Sequence, residues 1–294
     1  MDTAYKVIAD RIIAALDAGV VPWRKPWTVS LGQTPHNATS KRPYTGINAL
    51  ILGISGYSDP RWTTYKAARK LGGFVRKGEK GTPVTFWRNY DRKCDPAHPG
   101  TVCNGCDTRH PGIRRFWTVR YYTVFNVEQI DGIDWPVIED LGEEFDPIKA
   151  AEAVVNDWAG KPSITHDGGD QAYYRPGTDS IHLPPRSAFS GAEGFYSTMF
   201  HELGHSTGHE SRLNRHGLET GIAPFGSETY SKEELAAEFT SAFIASKVGI
   251  TNTVENSTAY ITGWAKALRK DPKLVMQAAS QGQKAADLIL GDKA

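Results

Sequence analysis

The sequence predicts an α+β chain of two domains, on its length, its charge asymmetry and the order of its helical and strand-like patterns. With 294 residues it is long enough for two domains of ordinary size, each able to bury its own core. The formal net charge of +1 conceals an imbalance: residues 1–130 carry 20 Lys and Arg against 9 Asp and Glu (+11), while residues 131–294 carry 14 against 24 (−10). Halves of opposite sign are expected to face different partners. The stretch 131–146, DGIDWPVIEDLGEEFD, is acidic and holds Pro and Gly. It divides the chain into a basic domain 1–130, an acidic linker 131–146 and a second domain 147–294.

Within the basic half, residues 5–16 have the spacing of an amphipathic helix, which Gly19 ends. A loop with WRKPW follows, then RPYTGINAL leading into a second helix, and a third helix is expected over residues 63–71. The loop GGFVRKGEKG precedes strands near residues 84–90 and 116–126. Beyond the linker, Pro147 suits the first position of a helix with Asp146 as its cap. Residues 172–183 read as a β-hairpin turning at RPGTD. No apolar run approaches the roughly eighteen residues that span a membrane, and the N-terminus lacks the regions of a signal peptide. Three cysteines are too few for a disulfide framework. A cytoplasmic protein without membrane contact is expected.

Residues His201, Glu202, Leu203, Gly204 and His205 spell HELGH, an HExxH zinc-peptidase signature. Ser190 and Glu193 have capping-box spacing, and Phe195, Met199, Phe200 and Leu203 supply an apolar stripe, so the motif is expected on a helix that stops near Gly208. Residues four apart share one helical face, which lets both imidazoles reach one cation. Glu202 is then placed as general base toward a water activated by that ion. Two solvated histidines on a surface helix would be the bland alternative; the apolar flanks and a nearby third ligand argue against it.

A third His six residues after His205 is absent, because Ser211 stands there, and His209 lies a turn too far. The segment SKEELAAEFTSAFIASKV, residues 231–248, places Glu234 and Glu238 on one helical face. Glu234 as ligand and Glu238 as hydrogen-bond partner of a ligand imidazole is the preferred assignment. Ser231 and Glu234 also match a capping box, in which case Glu238 becomes the ligand. Glu233 is expected to face solvent. The strand formed by residues 180–183 is the expected edge on which an extended peptide would pair. Tyr174 and Tyr230 are the tyrosines that could reach an oxyanion.

In the basic half, cations alternate with large rings: Trp23, Arg24, Lys25, Trp27, Arg42, Tyr44, Trp62, Lys66, Arg76, Lys77, Lys80, Trp87 and Arg88. Single-stranded nucleic acid is held by this combination, with bases stacked on rings and cations tracking phosphates, largely independently of base sequence. Buried tryptophans and a solvated RKGEKG turn are the structural alternative. Cys94, Cys103, Cys106 and His110 sit in the expected loop 88–115 and could form a second, structural zinc site of the Cys3His type.

These blocks together resemble the ArdC family of plasmid antirestriction proteins. The resemblance runs through WRKPW, RPYTGIN, RWTTYKAARKLGG and VRKGEKGTPVTFW, then DSIHLP, HELGHSTGH, the segment 212–215 and EELAAEF. It implies a basic α+β domain that binds single-stranded DNA joined to a zincin-like (HExxH) metallopeptidase domain. It also implies protection of incoming conjugative plasmid DNA from host restriction. By position, His201, His205 and Glu234 would hold Zn2+ or another divalent ion such as Mn2+, and Glu202 would be the base, acting on some host protein. The competing expectation is a DNA-binding shield or decoy whose metal site is not needed for protection.

Overall fold

The computed structural model describes residues 2–23, 34–93, 113–136, 147–166, 169–215, 228–250 and 258–292. Helix α1, Asp2–Asp17, buries Ile8, Ile12 and Leu16 and closes where Gly19 takes a φ of 74°. There the Val20 amide donates to the Ala15 carbonyl at 2.9 Å and the Gly19 amide to Leu16 at 2.9 Å, the paired bonds of a Schellman stop. After strand β1 (His36–Asn37) comes α2, Gly46–Gly53. Strand β2, Arg61–Thr64, leads directly into α3, Tyr65–Lys70. The expected third helix is thus shortened at its start. Thr64 prefers extended backbone and caps the helix by accepting from the Ala67 amide at 3.2 Å.

Strands β4 (Thr82–Lys93) and β5 (Ile113–Asn126) form one long antiparallel hairpin, in register from Thr82 opposite Val124 to Lys93 opposite Ile113. Both strands run further than their sequence pattern suggests, so the connecting segment is shorter than the expected loop. The sheet order is β1-β2-β5-β4. A small second sheet pairs β3 (Phe74–Val75) with β6 (Ile130–Asp131). Asp131 therefore belongs to a strand. Farther along, the Pro136 carbonyl accepts from Arg61 Nη1 at 2.6 Å, so the first residues of the expected linker are tied to the basic half.

Helix α4, Pro147–Asp157, begins where the sequence places it. A three-stranded sheet then runs in the order β7 (Ser163–Thr165), β9 (Ser180–His182), β8 (Tyr173–Arg175), with β8 and β9 as the expected hairpin. Four further helices complete the described fold: α5 (Ala192–Ser206), α6 (Glu228–Lys247), α7 (Thr258–Lys270) and α8 (Leu274–Leu290). Helix α6 lies at the centre, with residues 235–245 all buried.

Glycines set how closely its neighbours approach. A Cβ at Gly204 of α5 would sit 3.1 Å from Ala237 Cα and 3.1 Å from Thr240 Cβ, and one at Gly282 of α8 would sit 2.6 Å from Phe239 Cβ. Backbone and branched neighbours cannot swing away as a flexible side-chain tip could. These positions thus let three helices pack closer than ordinary side chains allow.

The core is not divided as the charge is. A small cluster of Leu52, Trp62, Val84 and Val124 lies within the basic half. The large cluster draws Ile8, Ile12, Trp23, Leu50 and Val119 together with Phe200, Leu203, Phe239, Trp264 and Val275. Trp23 meets Phe239 and Trp264 edge-on, at centroid distances of 5.0 and 5.1 Å. The Gly46 amide donates to Gln283 Oε1 at 2.7 Å, and Arg269 pairs with Asp17. A single apolar core therefore continues across the expected join.

Candidate metal centre and nucleic-acid interface

Helix α5 buries Phe195, Met199, Phe200 and Leu203, which turns the opposite face, with His201 and His205, toward α6. Its N-cap is Gly191, with no side-chain cap, so Ser190 does not close the expected capping box. The two imidazoles converge: their Nε2 atoms lie 3.1 Å apart, with the rings edge to face. Glu234 Oε2 lies 3.6 Å from His201 Nε2, and Glu234 Oε1 lies 3.4 Å from His205 Nε2. Among the described residues His201, His205 and Glu234 form the group of donor atoms close enough to share an ion. Two neutral-capable nitrogens and one carboxylate facing each other fit a divalent cation with a position left open.

Helix α6 starts at Glu228, three residues before Ser231, so Glu234 is an interior helical residue and the capping reading of it falls away. Glu238 is buried, with Oε1 4.0 Å from His201 Nδ1, longer than a hydrogen bond. Glu233 corrects the expectation of a solvent-facing side chain. Its Oε1 lies 3.5 Å from His205 Nδ1 and 2.5 Å from Arg215 Nη2. Glu202 is 7 % exposed, beside the converging rings on the same helix.

Charge is balanced locally. Burial opposes protonation of both imidazoles, but nearby carboxylates outweigh it: Glu234 raises the pKa of His201, and Glu234, Glu233 and Glu202 raise that of His205 well above its ordinary value. Burial likewise disfavours the charged carboxylates, yet the imidazoles hold Glu234 far below its usual range, and His205 with Arg215 lowers Glu233.

Around this centre, Arg212 donates to the Ser206 carbonyl at 2.7 Å and pairs with Asp179. Asp179 adopts a φ of 45° and accepts from the Tyr174 hydroxyl at 2.8 Å. Tyr174 is therefore committed to this turn, and burial with its Asp179 bond pushes its pKa up. The side chain of Tyr230 lies outside the described residues. Strand β9, the expected peptide-pairing edge, is instead the middle strand, flanked by β7 and β8. Its burial follows from its apolar Ile181, which is fully enclosed. The sheet edge beside α5 is β8.

The expected DNA-contacting residues separate by burial. Trp23 and Trp62 are 1 % exposed, Trp23 in the large core and Trp62 edge-on to Tyr57 in the small one, so neither can stack a base. Tyr44 is half-buried, its pKa pushed up to about 12 by burial. Arg42, Lys66, Lys77, Lys80 and Arg88 are exposed. Arg76 is exposed too, but pairs with Glu79 and Asp131. Arg24, Lys25, Trp27, Cys94, Cys103, Cys106 and His110 lie outside the described residues.

Trp87 is 56 % exposed on the long hairpin beside exposed Phe86, both in the ring-and-cation pattern of the sequence, and the structure adds rings that the sequence reading passed over: Trp117 at 56 %, with Tyr121 and Tyr122. Alternation places Phe86 and Arg88 with Arg120 and Tyr122 on one face, where Phe86 meets Tyr122 edge-on at 5.3 Å. Trp87, Trp117 and Tyr121 share the other face. The signal for these rings was the aromatic density of β5 itself, which reads equally well as core.

An HExxH pair on one helix completed by a carboxylate from a second packed helix defines a zincin-like metallopeptidase site. Comparison with known proteins carries this further. Residues 149–281 match the zincin-like metallopeptidase family, and residues 2–125 match the N-terminal domain of anti-restriction factor ArdC. The crystal structure of the antirestriction ArdC protein from plasmid R388, metal-free, aligns with a TM-score of 0.74 at 35% identity, covering 99% of this chain and 98% of that one. Its Mn(II)-bound form aligns with a TM-score of 0.72. DNA primase TraC of Escherichia coli is 40% identical over 291 residues, 97% of this chain but 20% of TraC, so the chain spans about a fifth of that relative. Protein y4eC of Sinorhizobium fredii is 37% identical over 96% of this chain and 90% of its own length. The chain belongs to the ArdC family of antirestriction proteins.

Proposed function

We propose that this protein protects incoming conjugative plasmid DNA in the host cytoplasm, holding single strands on its basic domain and hydrolysing a peptide bond of a host protein at the HELGH centre. The domains are taken as residues 1–130 and 147–294. The observation that carries the enzymatic part is Glu202, enclosed on the same helix as His201 and His205, whose donor atoms converge with that of Glu234. His201, His205 and Glu234 would hold Zn2+, or Mn2+ as in the R388 relative. When bound, such an ion supplies Lewis-acid polarisation and lowers the pKa of water. Glu202 then accepts the proton of the attacking water and returns it to the leaving amine. An extended peptide pairs its main chain along the free edge of β8, Tyr173–Arg175, next to α5.

Support for the DNA-binding part comes from the hairpin, where Trp87, Trp117 and Phe86 stand exposed among Arg88 and Arg120. Stacking on such rings is worth about 1–3 kcal/mol per base and tolerates any sequence. Among the described residues no helix is long and apolar enough to cross a membrane.

The test is restriction protection in a conjugation recipient by wild type and Glu202→Ala, with the metal content of both proteins measured. Loss of protection with metal retained is the expected result. Full protection by the variant would remove hydrolysis from the function and leave a DNA-binding shield.

A further inference from the structure

The two histidines of the HELGH motif differ in what stands behind them. His201 Nδ1 makes no hydrogen bond among the described residues, with Glu238 Oε1 at 4.0 Å. His205 Nδ1 faces Glu233 Oε1 at 3.5 Å, an ion-pair distance that a small closure would bring to hydrogen-bond length. Glu233 is not loose. Arg215 grips it with both prongs, Nε to Oε2 at 3.0 Å and Nη2 to Oε1 at 2.5 Å, and Arg215 itself is 8 % exposed. The same guanidinium donates through Nη2 to the Gly204 carbonyl at 2.8 Å and through Nη1 to Thr207 Oγ1 at 2.5 Å. Gly204 precedes His205, and its carbonyl lies in the last turn of α5, where no helical amide completes it. Arg215 is held in turn by its amide, which donates to the Gly208 carbonyl at 3.0 Å.

We propose that Glu233 is the positioning residue of His205, accepting from Nδ1–H and so presenting Nε2 toward Glu234 and His201, and that Arg215 is the clamp that fixes Glu233 and the end of α5 in one frame. The inference deepens the metal-centre reading and rests on it. A carboxylate behind a ligating imidazole fixes its tautomer and ring angle, and loss of such a partner weakens metal binding about 10–100-fold. A rigid bidentate fork suits the clamp, because a buried lysine would offer one point charge to the same carboxylate. The usual sequence logic points instead to Glu238, four residues beyond the ligand. The geometry prefers its neighbour on the other side of Glu234, since Glu233 carries the shorter contact and is itself gripped by Arg215.

The experiment measures Zn2+ affinity of the full chain by competition with a chromophoric chelator, for wild type, Glu233→Gln, Arg215→Lys and Asp59→Asn. Gln is nearly isosteric and can still accept from Arg215, while Asp59 belongs to the enclosed Arg61–Asp59 pair of the basic half and controls for a lost ion pair remote from the centre. Glu233→Gln is expected to bind Zn2+ about 10–100-fold more weakly, Arg215→Lys to lose less, and Asp59→Asn to bind as wild type. Co2+-loaded Glu233→Gln is expected to show a shifted visible spectrum, which a merely structural role would not move. Wild-type affinity and spectrum in Glu233→Gln would overturn the proposal. If that variant does not fold, imidazole NMR of Zn2+-loaded wild type decides: a slowly exchanging His205 Nδ1 proton supports Glu233, and one lost to water exchange refutes it. Failure of wild type to take up Zn2+ would instead defeat the metal-centre reading.

Discussion

Trp23 and Trp87 are chemically identical, and both sit among cations in the basic half, yet they have opposite physical roles. Trp23 is wedged between Phe239 of the ligand-bearing helix and Trp264, whereas Trp87 stands more than half exposed on the β4–β5 hairpin. The contrast separates two kinds of region. The metal centre is built of packed helices, where position follows from what lies behind each side chain. The hairpin is built of alternation, where each ring's value lies in the face it leaves open. The two regions nevertheless share one core, to which Val119 of the hairpin, Trp23 and Phe239 of the helix that carries Glu234 all belong.

The largest expected effect separates chemistry from binding at the centre. Glu202→Gln should lower hydrolysis of a peptide substrate about 10²–10⁴-fold, with bound metal unchanged by elemental analysis. A variant that hydrolyses as wild type would remove Glu202 from the reaction. Next comes the buried tryptophan: Trp23→Ala should cost about 3–5 kcal/mol of stability by denaturant unfolding, and should loosen both halves together because the core is common. Independent unfolding of a stable peptidase half would show that the core does not couple them.

Gly204→Ala comes third. The added methyl meets Ala237 Cα and Thr240 Cβ at 3.1 Å, so α6 must retreat from α5 or the helix must shift. About 1–3 kcal/mol of overpacking follows, and Glu234 should leave the two imidazoles. Melting and Zn2+ affinity should therefore fall together; a drop in stability with affinity intact would limit Gly204 to packing. On the other side of the comparison, Trp87→Ala and Trp117→Ala should each weaken single-stranded DNA by about 1–3 kcal/mol, with stability nearly unchanged. Fluorescence anisotropy with a short oligonucleotide reads this directly, and unchanged affinity in both variants would move the interface off the hairpin.

Much of the fold was legible because it is local. Helix α1 stops at Gly19, α4 starts at Pro147, and the Tyr173–His182 hairpin turns where RPGTD demands it. HELGH is a local statement too, since i and i+4 share a face in any helix. What escaped was set by partners distant in sequence. Helical spacing favours Glu238 and turns Glu233 toward solvent, and only Arg215, distant in sequence, draws Glu233 inward. Trp62 and Trp87 have similar neighbours in sequence, and only the sheet order tells which ring is covered. The strand of residues 180–182 looked like an edge because its pairing with β7 comes from a parallel crossover that no hairpin signal announces.

The smallest expected effect concerns pH. Without metal, His201 and His205 have raised pKa values, so the stability they contribute is fully present below the ordinary imidazole value of 6.5 and is lost as pH rises through the raised one. Glu234 is depressed, so its contribution is present above the ordinary carboxylate value of 4.5 and is lost as pH falls through the lowered one. The metal-free centre is therefore steadiest between the ordinary carboxylate value of 4.5 and the ordinary imidazole value of 6.5, and weakens above that as pH climbs toward the raised imidazole values. A cation needs both imidazoles neutral, so protons and metal compete for the same nitrogens. The rise in melting temperature on adding Zn2+ should accordingly grow between about pH 6 and 8, with protons released on binding. A metal-induced shift that stays flat across that range would mean that His201 and His205 are not the groups the ion displaces protons from. The hairpin offers the contrast: DNA binding that rests on stacking should hardly change over the same interval, because ring-on-base contact exchanges no proton.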